Sequence, residues 1–206
     1  MPTEGLLDPD YLAGRGQLLS GDDALPEVSA GSPGWSHAWL WGQDSAIEFP
    51  STSQISIVDG DGNALSMTTT IENGFGSRLF TQGFLLNNEM DDFATNPGKP
   101  NQFGLVQGAY NAVVPGRRPL SSMCPVIVVK NGKVDAVVGS PGGPTILTTV
   151  LQVLLHRYEF GMDPLTAVTA PRFHRQDRPP TLKHEAGRLR GSVRRKLRSL
   201  GQPLQQ

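Results

Sequence analysis

The sequence predicts an α+β fold in which antiparallel sheets are covered by helices, and three observations predict it. Two segments alternate apolar and polar residues on either side of tight-turn residues, the pattern of β-hairpins. A glycine-rich turn, Gly139-Ser-Pro-Gly-Gly143, joins the second of these to an apolar run long enough for a helix. Composition is that of a packed domain, since 37% of the 206 residues are hydrophobic and a further 24 are Gly.

Residues 1 to about 50 are rich in Gly, Pro, Ser and Asp and read as a connector, with one helix-like piece at 8–19. Residues 53–59 alternate, Asp59-Gly-Asp-Gly62 supplies turn residues, and 64–71 alternate again, giving the first hairpin. The second comprises 125–130, the turn Asn131-Gly132, and 133–138. Asn-Gly suits a type I′ turn because both central positions take positive φ. Residues 145–158 predict a helix that stops near Gly161. Asp163-Pro164 is an N-cap followed by Pro at the first helical position, so a short helix should run to Ala170. Ser192 is expected to cap a last helix with Val193, Leu197 and Leu200 on one face and Gly201 closing it.

Composition also excludes several functions. The longest apolar stretches, 126–129 and 146–155, fall short of the ~20 residues a bilayer span needs, so no membrane association is expected. The opening MPTEGLLDPDYL has no basic segment followed by an apolar one, so no secretory signal is read and the cytoplasm is the default compartment. One cysteine, Cys124, rules out an internal disulfide. The four histidines lack metal-site spacing, so neither metal nor other cofactor is expected. A net charge of −1 hides an asymmetry: residues 1–150 carry 7 basic and 15 acidic groups, residues 151–206 carry 11 and 4. A patch of Arg188, Arg190, Arg194, Arg195, Lys196 and Arg198 could bind nucleic acid, but it has no interleaved aromatics and no known motif. A solvated helix face explains it better, and no nucleic-acid partner is expected.

Five stretches hold residues that chemistry can use. The first, 50–54, offers a run of hydroxyls around Thr52, and in the second, 63–76, Ser66, Thr68 and Thr70 share one strand face. Thr is an ordinary strand residue, so these alone carry no function. Glu89, Asp91 and Asp92 lie in the third, 85–93; such acids suit general acid/base work, a metal site or an ammonium ligand, yet are usually solvated. Ser121 and Ser122, in the fourth, could serve a carboxylate, or simply a turn. The fifth, Gly139-Ser-Pro-Gly-Gly143, could point helix-start amides at an oxyanion. Phosphate binding would use similar geometry, but no Walker lysine follows Gly143.

In combination the five stretches resemble the small, catalytic subunit of the gamma-glutamyltransferase (gamma-glutamyltranspeptidase) family. The likeness is carried by Val58-Asp-Gly-Asp-Gly-Asn-Ala-Leu-Ser66, LLNNEMDDF at 85–93, Arg118-Pro-Leu-Ser-Ser-Met123, the glycine stretch and Ala170-Pro-Arg-Phe-His174. It implies an N-terminal nucleophile hydrolase-like αββα sandwich, incomplete here, and a precursor that cuts its own chain between Ser51 and Thr52. Residues 1–51 would then be the tail of a large subunit and its linker, and 52–206 a truncated catalytic small subunit. Thr52 would attack a gamma-glutamyl amide such as that of glutathione and pass the glutamyl group to water, an amino acid or a peptide. Its own freed α-amine, of pKa about 8, would accept the hydroxyl proton. Thr70 would orient Thr52, and Gly142 and Gly143 would donate amides to the oxyanion. Ser121 and Ser122 would hold the substrate α-carboxylate, with Glu72, Glu89 and Asp92 holding its α-ammonium.

The family's large-subunit segment, including an arginine that clamps the α-carboxylate, lies upstream of what this chain carries, and that segment is the expected partner. Many relatives are exported. Two alternatives stay open: a cephalosporin or glutaryl acylase of the same superfamily, whose glutaryl donor lacks the ammonium, and a catalytically inert truncated fragment.

Overall fold

The computed structural model describes residues 3–19, 31, 34, 52–97, 108–175 and 181–205. In chain order its elements are α1 (Thr3–Leu6), α2 (Pro9–Gln17), β1 (Ser53–Val58), β2 (Ala64–Thr69), β3 (Phe80–Thr81), β4 (Phe84–Leu85), β5 (Val126–Lys130) and β6 (Lys133–Val138). There follow α3 (Thr145–Leu154), α4 (Pro164–Thr169), β7 (Phe173–His174), β8 (Leu182–His184), α5 (Gly191–Ser199) and β9 (Leu204–Gln205). Helices and small, mainly antiparallel sheets make this an α+β chain. It divides into two compact units, Gly42–Ala170 and Met1–Trp41 with Pro171–Gln206.

In the first unit, β1 and β2 form the expected hairpin, in register from Ser53↔Thr69 to Val58↔Ala64. The turn is tied by Asp59, whose carboxylate accepts from Asp61 N–H at 3.0 Å, Asn63 N–H at 2.8 Å and Asn63 Nδ2 at 2.7 Å. The Asn63 side chain above all, with these backbone donors, holds the Asp59 carboxyl below its usual pKa. The hairpin's polar face, not its apolar one, is the sheltered one. Gln54, Ser66 and Thr68 are half-buried, whereas Ile55, Ile57, Leu65 and Met67 on the other face are exposed.

β5 and β6 form the second hairpin with Asn131 at φ 52° and Gly132 at φ 74°, as a type I′ turn requires. Its register shifts between Val128 and Val129, a bulge that alternation does not reveal. Ser66 Oγ donates to Val138 O at 3.2 Å, joining the two hairpins where the glycine stretch begins. α3 follows, burying Ile146 and Val150 one turn apart, and then widens into a π-turn over Leu155–Glu159 instead of continuing as α-helix. Gly161, at φ 64°, ends it.

α4 begins as expected, since the Asp163 side chain accepts from Thr166 N–H at 3.1 Å and its pKa is lowered chiefly by the Thr166 hydroxyl. Ala167 is fully buried, and its carbonyl lies 3.3 Å from His156 Nδ1, stitching α4 to the π-turn. Tyr158 donates to Asp135 at the edge of β6, and that bond raises the phenol's pKa.

In the second unit, Asp8 caps α2 by accepting from Tyr11 N–H at 2.8 Å, so the helix runs Pro9–Gln17 within the expected 8–19. β7 and β8 are antiparallel while β8 and β9 are parallel, a pairing the sequence did not suggest. The last helix starts two residues earlier than expected. Gly191 is already helical and Arg190 occupies the N-cap, so Ser192 lies inside α5 and does not cap it. Gly201, at φ 79°, closes it as expected.

Candidate active site

Thr52 is half-buried and stands directly before β1, while Thr70 directly follows β2. Continuing the register one step beyond Ser53↔Thr69 sets the two threonines opposite each other on the sheltered face. Thr70 Oγ1 accepts from the Glu72 N–H at 2.8 Å, leaving its own O–H to donate to a neighbour. Ser51, the other side of the expected cleavage, lies outside the described residues.

The backbone turns sharply after Thr70. Glu72 has φ 69°, a left-handed conformation that costs a non-glycine residue of order 1–3 kcal/mol. The turn is fixed by two bonds to the neighbouring segment: Asn73 N–H donates to Asn88 Oδ1 at 3.2 Å, and Asn88 N–H to Ile71 O at 3.3 Å. Glu72 and Glu89 therefore sit beside residues that bond one another, and each buries one carboxylate oxygen. Glu89–Asp92 forms a single 3-10 turn whose first N–H is accepted by Asn87 Oδ1 at 3.1 Å. Asp92 is half-buried beside the buried pair Phe93 and Ala94.

A residue with no sequence signal links this acidic turn to the serines. Asn111 is buried; its Nδ2 donates to Asp92 O, and its Oδ1 accepts from Leu120 N–H at 3.1 Å. Its backbone carbonyl also accepts from Ala94 N–H at 2.8 Å, within a bridge between Ala94 and Ala112. One side chain thus holds Asp92 and the residue preceding Ser121. Ser121 is exposed and accepts from Met123 N–H at 3.2 Å; Ser122 is half-buried.

The glycine pair has a conformation only glycine adopts easily. Gly142 has φ 137° and Gly143 φ 55°. A Cβ on Gly142 would lie 2.5 Å from Thr145 Oγ1. Gly142 O accepts from Thr145 N–H at 3.1 Å and Thr145 Oγ1 at 2.7 Å, and Gly143 O from Ile146 N–H at 3.1 Å. In a trans peptide the N–H opposes the C=O. The Gly142 carbonyl faces the helix, so the Gly143 N–H points away from it, as an oxyanion donor must. Among the described residues no cluster of three His, Cys, Asp or Glu is placed to hold a metal ion. Nor is any helix there long and apolar enough to cross a membrane.

A sequence profile described as Gamma-glutamyltranspeptidase matches residues 1–206. The chain belongs to this family. Among gamma-glutamyltranspeptidase relatives, a glutathione hydrolase proenzyme of Pseudomonas sp. (strain A14) is 43% identical over 98% of this chain and 34% of its own length. One from Escherichia coli K12 is 49% identical over 71% of this chain and 26% of its own. The chain thus spans about a third or less of these curated relatives' length. A solved gamma-glutamyltranspeptidase of Helicobacter pylori superposes with a TM-score of 0.69 at 48% identity, covering 74% of this chain and 83% of that one. A cephalosporin acylase of Bacillus halodurans, at 23% identity and a TM-score of 0.74, covers 100% of this chain and 33% of its own; it shares the fold.

Proposed function

We propose that this chain supplies the nucleophile, the oxyanion donors and the glutamyl-binding residues of an enzyme that cleaves gamma-glutamyl amides, with glutathione as the donor class. The observation that best supports this reading is that Thr52 and Thr70 flank the paired ends Ser53↔Thr69 of a hairpin that is joined, through Ser66 and Val138, to the start of the glycine turn. Residues 1–51 are, in this reading, the tail of the large subunit and its linker, and 52–206 the truncated catalytic small subunit. In the uncut chain the Thr52 nitrogen is an amide and cannot take a proton. Cleavage between Ser51 and Thr52 converts it to an amine.

That amine accepts the Thr52 hydroxyl proton as Oγ attacks the γ-carbonyl carbon, and the carbonyl electron pair moves onto oxygen. Gly142 and Gly143 N–H groups stabilise the oxyanion; losing such a donor typically costs about 3 kcal/mol. As the tetrahedral species collapses, the leaving amine takes the proton and an ester remains on Thr52. Water, or the amine of an amino acid or peptide, then attacks that ester. Thr70, whose hydroxyl proton is available, orients Thr52 Oγ. Glu72, Glu89 and Asp92 bind the donor's α-ammonium, and Ser121 and Ser122 its α-carboxylate.

The chain works, in this reading, with further polypeptide of the precursor. Ile57, Val58, Leu147 and Leu151 expose apolar surface that a packed partner would cover. Hydrolysis of a gamma-glutamyl anilide against the corresponding glutaryl anilide tests the reading. The gamma-glutamyl compound should react faster, because only it presents an ammonium to the three acids. Faster release from the glutaryl compound would indicate an acylase, and no release from either would indicate an inert chain.

A further inference from the structure

The carboxamide of Gln54 occupies the junction of the three elements that carry the proposed machinery. Residues two apart on a strand share a face, so Gln54 projects on the same side of β1 as Thr52. Its Oε1 accepts from Thr68 Oγ1 at 2.6 Å; Thr68 lies on β2, two residues before Thr70. Its Nε2 donates to Ser66 Oγ at 3.0 Å, and Ser66 in turn donates to Val138 O at 3.2 Å, next to Gly139. Nε2 also lies 3.1 Å from Ile55 O and 3.3 Å from Ser56 Oγ.

Gly139 brings the glycine turn against the same carboxamide. A Cβ built there would fall 2.1 Å from Gln54 Cδ, 2.2 Å from Oε1 and 2.4 Å from Nε2. The carboxamide thus lies against the first residue of the turn that bears Gly142 and Gly143. Gly139 does not share their left-handed backbone. The three atoms nearest to an alanine Cβ there all belong to Gln54.

We propose that Gln54 is a positioning residue that fixes the separation between the Thr52 hydroxyl and the Gly142–Gly143 amides. It clamps β1 to β2 by hydrogen bonds and sets the glycine turn by contact. The proposal rests on the reading of Thr52 as nucleophile. It adds that the distance from attacker to oxyanion donors depends on a side chain that touches no reacting atom. A misplacement near 1 Å costs about 100-fold in rate, so a small displacement of this amide should be visible in kcat.

The test uses the whole precursor that carries this chain, as Gln54→Met, Gln54→Ala, Gly139→Ala and the Gln54→Ala/Gly139→Ala double variant. Rates of gamma-glutamyl anilide hydrolysis are expressed per chain carrying a free Thr52 amine, counted by intact mass. Gln54→Met keeps the volume but removes the donor and acceptor. It should lower kcat about 10- to 100-fold with KM within about 3-fold of the parent's. Gly139→Ala should lower kcat comparably by displacing the carboxamide. In the Gln54→Ala background, where the obstacle is gone, it should cost little more. A merely structural role would move melting temperature without that split or that non-additivity. An unchanged kcat in Gln54→Met, or equal cost of Gly139→Ala in both backgrounds, would overturn the positioning role while leaving the function intact. A parent chain that neither breaks before Thr52 nor hydrolyses the anilide would overturn the function and this role together.

Discussion

Replacing Asn111 by alanine separates the two halves of the proposed glutamyl-binding site in one step. Asn111 is 4% exposed and its side chain makes two bonds, donating to Asp92 O and accepting from Leu120 N–H. Alanine satisfies neither, and each buried backbone group left without its partner costs about 1–3 kcal/mol. Both bonds are only part-buried and Leu120 is itself exposed, so water reaches the freed groups and the lower half of that range applies. A total near 3 kcal/mol follows, and at this chain length each kcal/mol lowers Tm by about 2–4 °C. Thermal unfolding should therefore show a fall of about 6–12 °C. KM for a gamma-glutamyl donor should rise several-fold, because Asp92 and the Ser121–Ser122 segment lose their common anchor. A change in Tm below about 2 °C with KM unaltered would refute the reasoning, since buried bonds of this kind cannot be lost so cheaply.

Gly142→Ala should reduce turnover by about 10²- to 10³-fold, because φ 137° and the Thr145 hydroxyl both force the turn to shift and move its amides; steady-state kinetics reads this directly. Asp92→Asn should raise KM for gamma-glutamyl donors by about 10- to 100-fold and leave glutaryl donors nearly unaffected, as expected for a lost charged bond to the ammonium. Acid stability supplies a further check. The Asp59 and Asp163 carboxyls have lowered pKa values in the fold, so their contribution is present above the unfolded value near 3.8 and is lost as pH falls through the depressed values. The Asp59→Asn/Asp163→Asn variant should accordingly show a shallower drop in Tm between pH 6 and pH 2; an unchanged slope contradicts the assignment.

Local chemistry was legible in the sequence where a few neighbouring residues decide the outcome. Asn131-Gly132 determines its turn by positive φ, Asp163-Pro164 starts α4 with a cap bond three residues away, and Gly161 and Gly201 end their helices. The Ser192 cap was misplaced because Gly191 and Arg190 extend the helix backwards by geometry, with no capping side chain to announce it. Asn111 and Gln54 were not legible at all. Asn111's side-chain partners lie 19 and 9 residues away, and Gln54's bond to Thr68 spans 14, so nothing in their immediate neighbours marks them. Alternation in β1 and β2 revealed the strands but not which face is sheltered. That depends on what lies opposite, here the glycine turn and the end of β6. The resemblance supplied the roles proposed for Thr52, Thr70, the acids and the serines, which residue types alone left open.

The central claim is that residue 52 becomes an amine-bearing nucleophile when the backbone opens ahead of it. Top-down mass spectrometry of the purified chain after prolonged incubation measures this directly. The account predicts two fragments, the second beginning at Thr52, and a single uncut mass in Thr52→Ala. An uncut parent chain, or a break at any other bond, would contradict it.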